Sequence, residues 1–170
     1  MAVIDIGPGA TNRAATWSFD TFPGYVLIDY NNPANDTGIL DTFEIYATTD
    51  LAGVKIGTFS GSGTSWAMRD YESIGSVTSG SKQTFTGKNC SVETNDVLAI
   101  LASGGALERV TSGAGGCGYI ALDTFADNDA HTYNALSGDA VSIYATGATA
   151  AAGSLPLKNV FGRPFSGVFR

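Results

Sequence analysis

Histidine occurs once in this 170-residue sequence and cysteine twice, and that scarcity narrows the chemistry at the outset. A Ser-His-Asp triad or a histidine metal site has to be built on His131. Its setting, Asp127-Asn128-Asp129-Ala130-His131-Thr132, reads as an exposed polar turn, and no G-x-S-x-G elbow supplies a nucleophile. Cys90 and Cys117 match no zinc spacing. They are either buried free thiols or a single disulfide bridge between neighbouring strands. Charge is sparse as well, at 15% of residues, and nine Lys and Arg face sixteen Asp and Glu for a net −7. The basic residues are scattered, so no stripe is present to neutralise a phosphate backbone and nucleic acid is not an expected partner. No run of 18 apolar residues exists, so no membrane insertion is expected. The opening Met1-Ala2-Val3-Ile4-Asp5 lacks the basic start and long apolar stretch of a secretory signal, which points to synthesis and folding in a cytoplasm.

Small and β-forming residues take the place of charge. Gly, Ser, Thr, Asn and Ala, with interspersed Val, Ile and aromatics, suit short strands joined by tight turns and suit helices badly. Strand-like runs are Ala15–Phe19, Tyr25–Tyr30, Ile39–Ala47, Val54–Phe59, Ser65–Arg69, Ser73–Val77, Lys82–Thr86, Asp96–Ala102, Ala106–Val110, Gly118–Asp123 and Ala140–Thr146. In Ile39–Ala47 the residues Ile39, Phe43, Ile45 and Ala47 fall on one face, Asp41 being the exception, and Leu40, Thr42, Glu44 and Tyr46 take the other. Turn signals about every eight to twelve residues predict an all-β, antiparallel sandwich over 10–147. Ala2–Ile6, set off by Gly7-Pro8-Gly9, reads as an extended N-terminal segment (1–9), and 148–170 as a C-terminal extension entered through a flexible small-residue connector.

Two blocks carry a resemblance. Asn32-Pro33-Ala34-Asn35-Asp36-Thr37-Gly38 with the strand that follows it, and Arg69-Asp70-Tyr71 with Ile74-Gly75-Ser76-Val77-Thr78-Ser79-Gly80-Ser81-Lys82-Gln83-Thr84-Phe85, resemble a jelly-roll-like module. That module is found in uncharacterised structural proteins of tailed phages and in environmental sequences. The resemblance spans about Val3 to Asp123, implies a β-sandwich in a virion or extracellular fibre, and brings no catalytic residues or cofactor with it.

Several constellations offer sites. Ala2, Val3, Ile4 and Ile6 form an apolar segment that either pairs in its own sheet or inserts into a neighbouring copy, and unclosed head-to-tail addition of that kind makes a filament. Phe161, Phe165 and Phe169 in the tail are further candidates for a contact between copies. Trp17, Trp66 and seven tyrosines either pack in the interior or form a sugar-stacking platform for surface glycans, with Trp66 and Tyr71 as its candidate residues. Asn35 and Asn89 open N-glycosylation triplets. The Asp127–Asp129 and Asp29–Asp36 stretches contain oxygens able to hold Ca²⁺, but the first breaks the EF-hand pattern and both read better as solvated turns. Gly113-Ala114-Gly115-Gly116-Cys117-Gly118 matches a dinucleotide fingerprint, yet a strand rather than a helix follows it. Acid pairs for glycosidase chemistry are unavoidable among sixteen acids, and Glu44, Glu72 and Glu108 sit in or beside strands. No enzyme and no cofactor is expected. The reading is a self-assembling structural subunit, with a carbohydrate-binding or host-recognition module as the alternative.

Overall fold

A computed structural model describes residues 2–149, and all regular structure in it is β. The fourteen strands are β1 (Val3–Ile6), β2 (Ala15–Ser18), β3 (Val26–Asp29), β4 (Gly38–Ser62), β5 (Ser65–Val77), β6 (Lys82–Phe85), β7 (Cys90–Val92), β8 (Val97–Leu101), β9 (Gly104–Val110), β10 (Cys117–Ile120), β11 (Ala130–Thr132), β12 (Asn134–Leu136), β13 (Ala140–Val141) and β14 (Ile143–Thr149). All pairings are antiparallel. Among the described residues no helix occurs, and so none is long and apolar enough to cross a membrane.

The 25-residue β4 organises the sandwich-like fold. Its first part pairs with β14 on one side and with β6 and β7 on the other. Its middle pairs with β9, and its last part lies between β5 and β8. Two expected strands, Ile39–Ala47 and Val54–Phe59, are therefore one chain segment that bends from layer to layer. The bend falls where the registers with β9 and β5 slip, between Ala47 and Val54. Bulges of this kind let a strand turn a sandwich corner without breaking its ladder. Gly105 marks the same corner. Its φ is +91°, and a methyl group there would collide with the Asp50 carbonyl.

A smaller slip explains Asp41. The β4–β14 register jumps between Thr146 and Gly147, leaving Asp41 without an opposite residue. The extra residue reverses the alternation. Leu40, Phe43, Ile45 and Ala47 point inward, and Ile39, expected on the buried face, is exposed.

The layers meet in two cores. Ile4, Leu40, Ile45, Leu27, Ile56, Leu98 and Ile100 belong to the larger one. Val26, Ile28, Phe59, Trp66, Val97, Ala99, Phe125 and Tyr133 form the second, on the opposite face of β3 and β8. Both of those strands are buried along their whole length. Burial on two faces accounts for their unbroken apolar runs.

The N-terminal segment is part of the sandwich. β1 pairs with β14, from Val3 opposite Ala148 to Ile6 opposite Ala145, and Ile4 and Ile6 are fully buried. Of the two readings of Ala2–Ile6, pairing in its own sheet is the one seen, and the burial of two isoleucines favours it. The free edge of β1 is closed too. Asp5 N–H donates to Asn35 Oδ1 (3.0 Å), and Asn35 Nδ2 donates to the Val3 carbonyl (3.2 Å). Gly7 N–H donates to the Asn32 carbonyl (2.9 Å), and Asn32 Nδ2 returns a bond to the Gly7 carbonyl (3.1 Å). One side-chain amide and one loop residue thus stand in for the missing neighbouring strand. At the other end, Gly147–Thr149, expected as connector, completes β14. Phe161, Phe165 and Phe169 lie outside the described residues.

Candidate functional site

Local sequence builds an aromatic groove at the seam between β2–β9 and the β3–β10–β12 end of the other layer. The β2–β9 register sets Trp17 opposite Leu107, which puts Arg109 two residues along on the same face. The turn after β2 carries Phe22 and Tyr25, joined by a hydrogen bond from Tyr25 N–H to the Phe22 carbonyl (3.3 Å). Tyr119 arrives on β10, held between Leu27 of β3 and Asn134 of β12. Thr16, Ser18 and Leu136 complete the lining of a cavity of about 440 Å³. That volume lies within the roughly 300–1,000 Å³ of small-molecule sites.

The rings form a continuous set. Trp17 lies 5.1 Å from Phe22 and 5.5 Å from Tyr119 between centroids, and Tyr25 stacks on Tyr119 at 6.1 Å and 19°. Phe22 is 38% exposed. The Arg109 guanidinium lies 5.3 Å over the Trp17 ring, a cation–π contact, and its Nη1 donates to Asp139 (3.1 Å). Burial pushes the Asp139 carboxyl above its ordinary range, and Arg109 pulls it back. Two donors on residues that line the groove, Trp17 Nε1 and Arg109 Nε, are buried and have no hydrogen-bond partner among the described residues. Unpaired buried donors are uncommon in folded proteins.

A second polar cluster lies beneath this end of the sandwich. Asp29, fully buried, accepts four bonds: Asn31 N–H and Nδ2 (both 2.8 Å) on one oxygen, Val141 N–H (2.7 Å) and the Cys117 thiol (3.2 Å) on the other. Asn31 Nδ2 also reaches the carbonyls of Gly116 and Asp139. Burial raises the Asp29 pKa, and the donors oppose the shift. With both oxygens saturated by the chain, the cluster ties β3, β10 and β13 together and offers no open position to a ligand.

The residues singled out in the sequence fall elsewhere. Trp66 is only 7% exposed, stacks on Tyr30 (5.5 Å, 20°), and donates its indole N–H to the Gly63 carbonyl (3.0 Å). It is a core residue, so its assignment to a sugar platform is corrected. Tyr71 is exposed but stands apart from the groove, edge-on to Phe125 (5.5 Å) and beside Lys55. Of the aromatics weighed, Trp17, Tyr25 and Tyr119 reach the groove, and the two named as candidates, Trp66 and Tyr71, do not. Phe22 was not among them, although the density of rings between Trp17 and Tyr25 was a usable signal.

The cysteines are free, which removes the disulfide alternative. Cys90 faces Thr58 Oγ1 (3.9 Å), whereas Cys117 is engaged with Asp29. Asn35 and Asn89 are exposed, and Asn35 is occupied by its bonds to β1. His131 Nε2 pairs with Asp127 (2.9 Å) inside its turn. Among the described residues no group of three or more His, Cys, Asp or Glu side chains gathers as a metal site. Glu108 is taken by Arg13 N–H (2.9 Å) and the Thr48 hydroxyl (3.0 Å), and Glu44 by Lys82 (2.8 Å). The glycine-rich stretch leads into β10, and Gly118 is where Tyr30 and Tyr133 approach too closely for any side chain. Comparison with family models, curated proteins and solved structures gave no match.

Proposed function

We propose that this chain is a saccharide-binding β-sandwich, carried as a subunit of a phage particle or extracellular fibre. The observation that supports binding is the open aromatic groove. Rings of Phe22, Tyr25 and Tyr119 surround a cavity of sugar size, and Trp17 forms its floor. Aromatic faces pack against the C–H faces of pyranose rings, while tyrosine hydroxyls remain for the polar rim. Phe22 belongs to neither core, and Tyr25 and Tyr119 lie partly buried against the larger one, of which Trp17 is a member. Isothermal titration against a panel of oligosaccharides tests the proposal. Binding that is lost in Tyr119→Ala and kept in Tyr71→Ala supports it. Binding indifferent to Tyr119, or no binding across the panel, overturns it.

A second observation favours the subunit role. Val3, Ala148 and Ile39 lie side by side on β1, β14 and β4, and Val3 is 69% exposed while Ile39 is 37% exposed. An apolar row on an outer sheet face is a contact surface for another copy of the chain. Contact through that face leaves β1 in place, in contrast to donation of Ala2–Ile6, which first has to break its pairing with β14. Val3→Asp and Ile39→Asp together are expected to shift an assembling preparation to smaller species in sedimentation velocity, and an unchanged profile rejects the row.

A further inference from the structure

We propose that the saccharide held in the groove carries a carboxylate, and that Arg109 is the residue that recognises it. This rests on the saccharide reading above and specifies the class of sugar. The polar inventory of the groove runs against the chain's composition. Acids outnumber bases sixteen to nine in the sequence, yet the lining contains one base, Arg109, and no Asp, Glu, Asn or Gln. A neutral sugar hydroxyl donates as well as accepts, and a site for it supplies carboxylates or amides to take its protons. Here the unspent groups are donors. Trp17 Nε1 and Arg109 Nε have no partner among the described residues, and both belong to residues that line the groove.

The geometry of Arg109 narrows the ligand further. Asp139 takes Nη1 only, and the guanidinium lies 5.3 Å over the Trp17 ring. The edge formed by Nε and Nη2 is the fork that binds a carboxylate through two parallel bonds. Both nitrogens are shielded from water in this conformation, so a ligand engages the fork only once the lining shifts to open Nε. An unpaired buried donor is destabilising, and a ligand oxygen that pairs it recovers that cost. The carboxylate is read at Arg109 while the sugar ring lies on Tyr25 and Tyr119.

Titration of the full chain with three probes tests this: an oligogalacturonide, the same oligosaccharide with its carboxyls reduced to alcohols, and a sulfated neutral oligosaccharide. The uronate is expected to bind at least about tenfold more tightly than its reduced form, the advantage expected of one charge-assisted fork. Arg109→Lys keeps the charge and most of the stem but loses the fork, and it is expected to erase that preference, so that uronate and reduced sugar bind alike. A thermal melt and a second variant, Arg109→Gln, separate loss of recognition from loss of fold. Equal binding of uronate and reduced sugar, both abolished by Tyr119→Ala, overturns the carboxylate and leaves the saccharide reading standing. Preference for the sulfated probe over the uronate also overturns it. Failure of all three probes to bind removes both readings.

Discussion

Asn35 closes the outer edge of β1, and removing its side chain tests how far one amide substitutes for a strand. Asn35→Ala deletes the bonds to Asp5 N–H and the Val3 carbonyl and leaves the Asn32–Gly7 pair intact. Each bond is solvent-exposed, so each is worth the lower part of the usual net range of about 0.5–1.5 kcal/mol. The pair therefore sums to about 1–2 kcal/mol, a fall in Tm of roughly 2–8 °C for a chain of this size. The freed groups on β1 are also a template for pairing with another chain. Urea unfolding monitored by circular dichroism gives the stability, and light scattering against concentration gives the association. Asn35→Asp serves as an internal control, since it still accepts from Asp5 N–H but cannot donate to Val3, and is expected to lose part of the effect. An alanine variant that matches the parent within about 0.3 kcal/mol, with unchanged scattering, refutes the edge-cap reasoning.

Other perturbations follow from the buried polar cluster and the thiols. The raised Asp29 pKa means the folded chain holds that proton more tightly than the unfolded chain. Its contribution to stability is present below the unfolded carboxyl pKa near 4 and is lost as pH rises through the folded value. Asp29→Asn turns an amide donor toward Val141 N–H and Cys117 and is expected to cost about 1–3 kcal/mol. Because the parent alone loses stability as pH rises, the gap between the two narrows from pH 4 to pH 7 in paired denaturation curves, and a widening gap contradicts the assignment. Burial pushes the Cys90 thiol up to about 12 and Cys117 higher still. Neither is expected to react with a thiol reagent at pH 8 until denaturant is added, and rapid labelling of the native chain argues against their burial.

The sequence carried the fold class more fully than the site, for physical reasons. Runs such as Val26–Ile28 and Val97–Leu101 announce strands because burial on both faces leaves no polar alternation. Alternation in Ile39–Ala47 was visible, but its phase was not, since the bulge at Asp41 depends on the partner strand β14. Turn-like residues at Thr48–Gly53 suggested a break, whereas a corner in a continuous strand uses the same residue types. Short edge strands β7, β11 and β12 escaped notice because three residues contain no period. Asn32 and Asn35 stood in the block that carried the resemblance, but their work at the edge of β1 joins residues about thirty positions apart. The groove draws on β2, the turn after it, β9, β10 and β12, and no local pattern brings those together. Trp66 and Trp17 look alike in one dimension. What separates them is an acceptor, Gly63, that only the first one finds.

The two tryptophans supply the most direct measurement of the central claim. In Trp66→Phe the indole on the floor of the groove is the sole tryptophan reporter, because Trp17 and Trp66 are the only ones in the chain. Saturable change in its fluorescence as saccharide is added, absent when Tyr119 is also replaced by Ala, is the predicted result. Saccharide binding by calorimetry with a silent Trp17, or a Trp17 signal untouched by any saccharide, contradicts the groove as the binding site.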